Sequence, residues 1–142
     1  MKTIRQISHF LKNEPGGLSE VSEILGANGI NIIAIYFKGH GKEGRLQFVA
    51  NDPDKAFNVM KSAGYDVEVT EVIACVVPHH PGGLNAVLKP LRSARINVEY
   101  IYACLGTGDI TVVVLGVDDI EKSLKILSDN WIRLLGEELY HM

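Results

Sequence analysis

The residues with chemical potential fall into two matched sets. Pro15-Gly16-Gly17-Leu18 recurs as Pro81-Gly82-Gly83-Leu84, and Asn31 recurs as Asn97. His79 stands just ahead of the second turn. Residues of these types bind rather than react. A glycine has no side chain, so a guest can approach the backbone closely at Gly16, Gly17, Gly82 and Gly83. Both turns stand ahead of a helical stretch, where free backbone N–H groups and the positive end of the dipole suit an anion. Asn31 and Asn97 each offer a carbonyl oxygen and an NH₂ group. His79 would make binding depend on pH between about 5 and 8. The same residues also suit plain structural ends. Glycine after proline makes a strand-to-helix turn, and asparagine caps strands and turns.

Other chemistry finds little support. No nucleophile stands at a recognisable spacing from a base, and no paired carboxylates have a reason for shifted pKa values. The adjacent His79-His80 diverge and lack further ligands at metal spacing, so no metal and no cofactor are expected. Gly106-Thr107-Gly108-Asp109 lacks the Lys-Ser/Thr and the following helix of a phosphate loop. His9, His40 and His141 read as surface or edge residues, and Tyr36 and Tyr102 as packing on a sheet.

The elements that position these residues follow from the repeat. At a fixed offset of 66, residues 7–36 give 11 identities in 30 positions, far above chance. At the same offset Asp52 meets Asp118 and Tyr65 meets Trp131. The chain therefore reads as two units, residues 1–70 and 71–142. In the first, Ile4 to Leu11 is a strand. Leu18, Val21, Ile24 and Leu25 share one helical face, and Asn28-Gly29 ends that helix. Asn31 to Phe37 is a strand, Gly39 to Gly44 a hairpin loop, and Leu46 to Ala50 a third strand. Asp52 caps a second helix with Pro53 at its first position. Gly64 stops it, and Tyr65 to Val69 makes a fourth strand. The second copy repeats the order over Val72–Val77, Leu84–Ala94, Val98–Cys104, Ile110–Leu115, Asp118–Ser128 and Trp131–Leu135. Pro90 inside its first helix predicts a kink or a short helix. The class is α+β: two ferredoxin-like βαββαβ units, each an antiparallel sheet with helices on one face.

This order, with its first turn, resembles the ACT domain, a small-ligand regulatory module of amino-acid metabolism. The family signature D/N-x-P-G-x-L, followed by G-x-N-[IV], is matched by Asn13-Glu14-Pro15-Gly16-Gly17-Leu18 and Gly29-Ile30-Asn31-Ile32. The second copy has His79-His80-Pro81-Gly82-Gly83-Leu84 and Arg95-Ile96-Asn97-Val98. The first copy is similar to the serine-sensing regulatory domain of phosphoglycerate dehydrogenase, where two asparagines hold an amino-acid effector across the interface of two such domains. The resemblance implies those roles for Asn13 and Asn31, and for His79 and Asn97. It implies ligand contact along both motifs: Asn13, Glu14, Pro15, Gly16, Gly17, Leu18, Asn31 and Ile32, then His79, His80, Pro81, Gly82, Gly83, Leu84, Asn97 and Val98. The implied ligand is a free amino acid, held where ACT units meet.

Composition sets the outer limits. The 142 residues are 46% hydrophobic and 22% charged with a net charge of −3, the make-up of a folded protein. An acidic chain has no broad positive field for phosphates, and strand three (Leu46 to Ala50) lacks the basic and aromatic residues of an RNA-binding sheet, so no nucleic-acid partner is expected. The longest apolar run, Ile30 to Phe37, is too short for a membrane span, and the N-terminus lacks a signal-peptide core. A cytoplasmic location is expected, with Cys75 and Cys104 as reduced, half-buried thiols. The resulting expectation is a regulatory protein without catalytic activity that binds an amino acid, forms a homodimer and acts on a metabolic enzyme. The alternative is a ligand-independent interaction subunit that controls such an enzyme.

Overall fold

The computed structural model describes residues 2–142. The chain forms two compact units, one of Arg5–Thr70 and one of Glu71–Met142 with the described residues up to Ile4. Its strands are β1 (Ile4–Lys12), β2 (Ile32–His40), β3 (Glu43–Ala50), β4 (Glu68–Val77), β5 (Val98–Ala103), β6 (Thr111–Val117) and β7 (Leu134–Leu135). Its helices are α1 (Gly17–Ala27), α2 (Pro53–Ser62), α3 (Gly83–Ser93) and α4 (Ile120–Asp129), and a 3-10 turn covers Glu137–His141. No helix among the described residues is long and apolar enough to cross a membrane.

In the first unit β3 lies between β1 and β2, antiparallel to both. Alternation puts Ile7, Leu11, Leu46 and Phe48 on one face, where Val21, Leu25, Ala56 and Met60 from α1 and α2 meet them. In the second unit the order is β7-β4-β6-β5, all antiparallel. There Ile73, Cys75, Val113 and Leu115 pack against Val87, Leu91, Leu124 and Leu127. Both units follow the predicted ferredoxin-like plan, with helices covering one face of an antiparallel sheet.

Several local expectations change. No strand forms at residues 65–67; the chain enters one continuous strand, Glu68–Val77. Val69, Thr70 and Val72 favour extended backbone, and nothing between 68 and 77 is a breaker. The first hairpin is tighter than its glycines suggest. His40 pairs with Glu43, so only Gly41 and Lys42 make the turn. Pro90 leaves α3 as long as α1, 11 residues each: it forfeits its own N–H bond, but Ala94 N still donates to Pro90 O at 3.1 Å and closes the last turn. Cys75 is fully buried rather than half-buried.

The repeat also slips by one residue. Tyr36 pairs with Gln47 and Tyr102 pairs with Val114, so the offset is 66 up to β5 and 67 from β6 onward. Asp52 therefore corresponds to Asp119, not Asp118. Each caps its helix through Oδ1, from Lys55 N at 3.2 Å and from Lys122 N at 3.1 Å. Trp131 likewise corresponds to Gly64 rather than Tyr65. Both stand just past a helix end with positive φ, 63° and 93°. That left-handed turn delays the last strand, which is only Leu134–Leu135 rather than Trp131–Leu135.

Candidate functional site

The first turn is built by the backbone. Gly16 sits at φ 89° as the residue before α1, and its carbonyl accepts from Glu20 N at 3.0 Å. Gly17 N donates to Glu14 O at 3.3 Å. Glu14, Pro15, Gly16 and Leu18 are exposed, which leaves the start of α1 open to solvent. The second turn copies this. Gly82 sits at φ 83°, and Gly83 N donates to His80 O at 2.9 Å. Gly83 is buried, and a Cβ there would lie 1.8 Å from Pro78 O, so only glycine fits. His79, His80, Pro81 and Leu84 are exposed. The His80 ring turns back on the turn itself, with Nδ1 2.9 Å from Pro81 O.

Asn13 is bonded locally. Its Nδ2 donates to Gly41 O at 2.9 Å, and its backbone N–H donates to Lys42 O at 2.9 Å. It clamps the end of β1 to the β2–β3 hairpin.

Asn31 and Asn97 behave differently. Asn31 N donates to Asn51 Oδ1 at 2.9 Å, and Asn51 N donates to Asn31 O at 3.0 Å. Asn97 N donates to Asp118 Oδ1 at 3.0 Å, and Asp118 N donates to Asn97 O at 3.2 Å. Their backbones are fully committed. Their own side-chain amides are exposed and make no hydrogen bond with another described residue. Ile32 and Val98, which follow them, are half-buried at the start of β2 and β5.

Within one unit the two motifs do not meet. Asn13 lies beside the β2–β3 hairpin, whereas Asn31 lies at the other end of β2, beyond Ile32. Nine strand residues separate those ends, about 25–30 Å. His79 and Asn97 stand at corresponding places in the second unit, at the end of β4 and the start of β5.

The turn of the first unit opens on a cleft of about 360 Å³ lined by His9, Lys12, Glu14, Gly17, Glu20 and Tyr65. Tyr65 OH donates to Glu20 Oε1 at 2.9 Å, and the His9 ring meets Tyr65 edge-on at 5.1 Å. Burial first, then the Glu20 carboxylate, raises the Tyr65 pKa, so its hydroxyl stays protonated. Two carboxylates and a lysine share this cleft, which suits a guest of mixed charge. His9, Glu20 and Tyr65 were missed as site residues. Their only sequence signal is the coincidence of three polar rings and chains that the fold gathers from positions 9, 20 and 65. Tyr102 is buried as expected of a packing residue, and burial raises its pKa.

A family model described as an ACT domain pair matches residues 2–142. No curated protein sequence matches the chain. Among solved structures, protein BT0572 from Bacteroides thetaiotaomicron is similar at 30% identity with a TM-score of 0.91, covering 99% of this chain and 97% of that one. The ligand-free regulatory subunit of aspartate kinase from Thermus thermophilus is similar in fold, at 15% identity and a TM-score of 0.64, covering 92% and 93%. The corresponding subunit from Thermus flavus is similar at 17% identity and a TM-score of 0.56, covering 89% and 92%. With one model spanning both units, their turns and their second strands, the chain belongs to the family of ACT domain pairs.

Proposed function

We propose that this chain is a non-catalytic regulatory protein of two ACT units, residues 1–70 and 71–142, that binds a free amino acid and controls a metabolic enzyme from the cytoplasm as a homodimer. The observation that carries the reading is the state of Asn31 and Asn97. Each has its backbone locked and its amide left free, which is the condition of a donor and acceptor held ready for a guest. An amino acid brings an ammonium and a carboxylate. The free amide serves either group, and the exposed helix start behind Gly16 or Gly82 favours the carboxylate. Because turn and asparagine stand at opposite ends of one sheet, a ligand of that size takes the turn of one ACT unit and the asparagine of another.

Binding should raise the melting temperature in proportion to RT ln(1 + [L]/Kd). A thermal-shift screen of the twenty amino acids at millimolar concentration tests this. A flat result across all twenty removes the amino-acid ligand.

One observation favours a second reading. One donor of the Asn13 amide is already bonded to Gly41, so this side chain is tied to the hairpin where those of Asn31 and Asn97 are not. A ligand-independent interaction subunit is consistent with that. A pull-down that retrieves the same enzyme with and without amino acids would favour it.

A further inference from the structure

The two units carry opposite charge on equivalent helices. In α1 the charged residues are Glu20 and Glu23; in α3 they are Lys89 and Arg92, with Arg95 just beyond. Glu23 and Lys89 occupy the same place in the repeat. All five side chains are exposed. The fold does not ask for this difference, because both helices bury the same positions: Val21 and Leu25 in α1, Val87 and Leu91 in α3. Among the described residues, Lys89, Arg92 and Arg95 join no ion pair.

The second unit also keeps bulky residues where the first has glycine. Arg95 (φ 58°) stands for Gly29 (φ 70°), and Trp131 (φ 63°) for Gly64 (φ 93°). A left-handed backbone costs free energy in any residue with a Cβ, least in glycine. Trp131 is 95% exposed, so no packing within the chain repays that cost. Between α3 and α4 runs a groove of about 590 Å³, lined by Asn85, Lys89, Pro90, Ser93, Ile126 and Asn130. Trp131 follows Asn130, one of the lining residues, in the chain.

We infer that the exposed basic face of α3, with Lys89 at the α3–α4 groove and Arg92 on the flank toward Arg95, docks a second copy of the chain, taking the acidic α1 face of the partner. The arrangement rests on the dimeric reading above and supplies its interface. Lys89 and Arg92 meet the carboxylates of α1, and Trp131 anchors the rim, as aromatic and cationic residues do at interfaces. Each copy carries both faces, one on each unit. Exposed charge pairs of this kind weaken as salt rises.

Sedimentation of the full chain tests it, with folding of every variant checked by circular dichroism. Reversing α1 at Glu23→Lys, which leaves the Glu20–Tyr65 bond intact, or α3 (Lys89→Glu with Arg92→Glu) raises the dimer dissociation constant by about tenfold or more. Combining all three restores it to within about threefold, since complementarity returns. Trp131→Gly raises the melting temperature by relieving the backbone, and raises the dissociation constant about tenfold. A dimer indifferent to all three changes overturns the interface and leaves the dimeric reading standing. Loss of the dimer on reversing α3 alone, with α1 reversal silent, overturns the α1 face as the surface that α3 receives. A chain that is monomeric at every concentration and salt overturns both.

Discussion

Asp118 holds Asn97 by both backbone groups: Oδ1 accepts from Asn97 N at 3.0 Å, and Asp118 N donates to Asn97 O at 3.2 Å. The neighbouring Asp119 does a separate job, capping α4. Adjacent aspartates thus divide two tasks, one holding the start of β5 and one starting α4. Asp118→Asn should be silent, since Asn51 makes the same contact in the first unit. Asp118→Ala should cost about 1 kcal/mol and loosen ligand binding with Asn97. Asp119→Ala should cost about 1 kcal/mol and leave binding alone. Urea denaturation and calorimetry on the three variants separate these outcomes.

The two turns differ in tolerance. A Cβ at Gly83 meets Pro78 O at 1.8 Å, while one at Gly17 meets Lys12 O at 3.2 Å. Gly83→Ala should lower stability by about 3 kcal/mol or more, and Gly17→Ala by less than about 1 kcal/mol. Chemical denaturation of both proteins measures the gap, and equal losses would contradict the geometry.

Gln47 is buried, and its Nε2 makes no hydrogen bond. Its counterpart in the repeat is Val114, opposite Tyr102 as Gln47 is opposite Tyr36. Gln47→Leu should stabilise the chain by about 1 kcal/mol, because a donor with no partner is removed at nearly constant volume. A shift of the urea midpoint upward is the expected sign.

Lys2 Nζ lies 2.7 Å from Glu138 Oε1, and this contact, with backbone donors, lowers the Glu138 pKa to about 2. A lowered carboxyl favours the folded state above its unfolded pKa. Its contribution is therefore full at neutral pH and fades as pH falls from about 4.5 toward 2. Carboxyl chemical shifts followed through acid give the midpoint directly. Lys2→Ala should move that midpoint back toward the ordinary carboxylate range.

Burial pushes the Cys75 thiol up to about 12 and the Cys104 thiol to about 11. Both are protonated at pH 8, so alkylation of the folded protein should be slow and should accelerate on unfolding. Cys104, which is less buried, should react first. Mass spectrometry of a timed reaction reads the order.

Much of this protein was legible in its residues because the repeat doubles every signal. Pro15-Gly16-Gly17 and Pro81-Gly82-Gly83 name the same turn twice, and local backbone preference is enough to place it. Val21 and Leu25, with Val87 and Leu91, declare the buried helix faces by spacing alone. Asn31 and Asn97 stand out as polar residues repeated at the head of a strand. The slip in the repeat was harder to see. An ungapped offset matches Asp52 to Asp118 and Tyr65 to Trp131, and only strand register shows that the true partners are Asp119 and Gly64.

By itself, then, the sequence determined the two units, their βα order and the residues at each turn, since these rest on short-range sterics and hydrophobic spacing. Tertiary structure alone decided how those residues are used. It bonds the Asn13 amide to Gly41 and leaves the amides of Asn31 and Asn97 free. It gathers His9, Glu20 and Tyr65 into one cleft and sets turn and asparagine at opposite ends of each sheet. Hydrogen bonds between residues far apart in the chain depend on strand register and helix packing, and no local pattern encodes either.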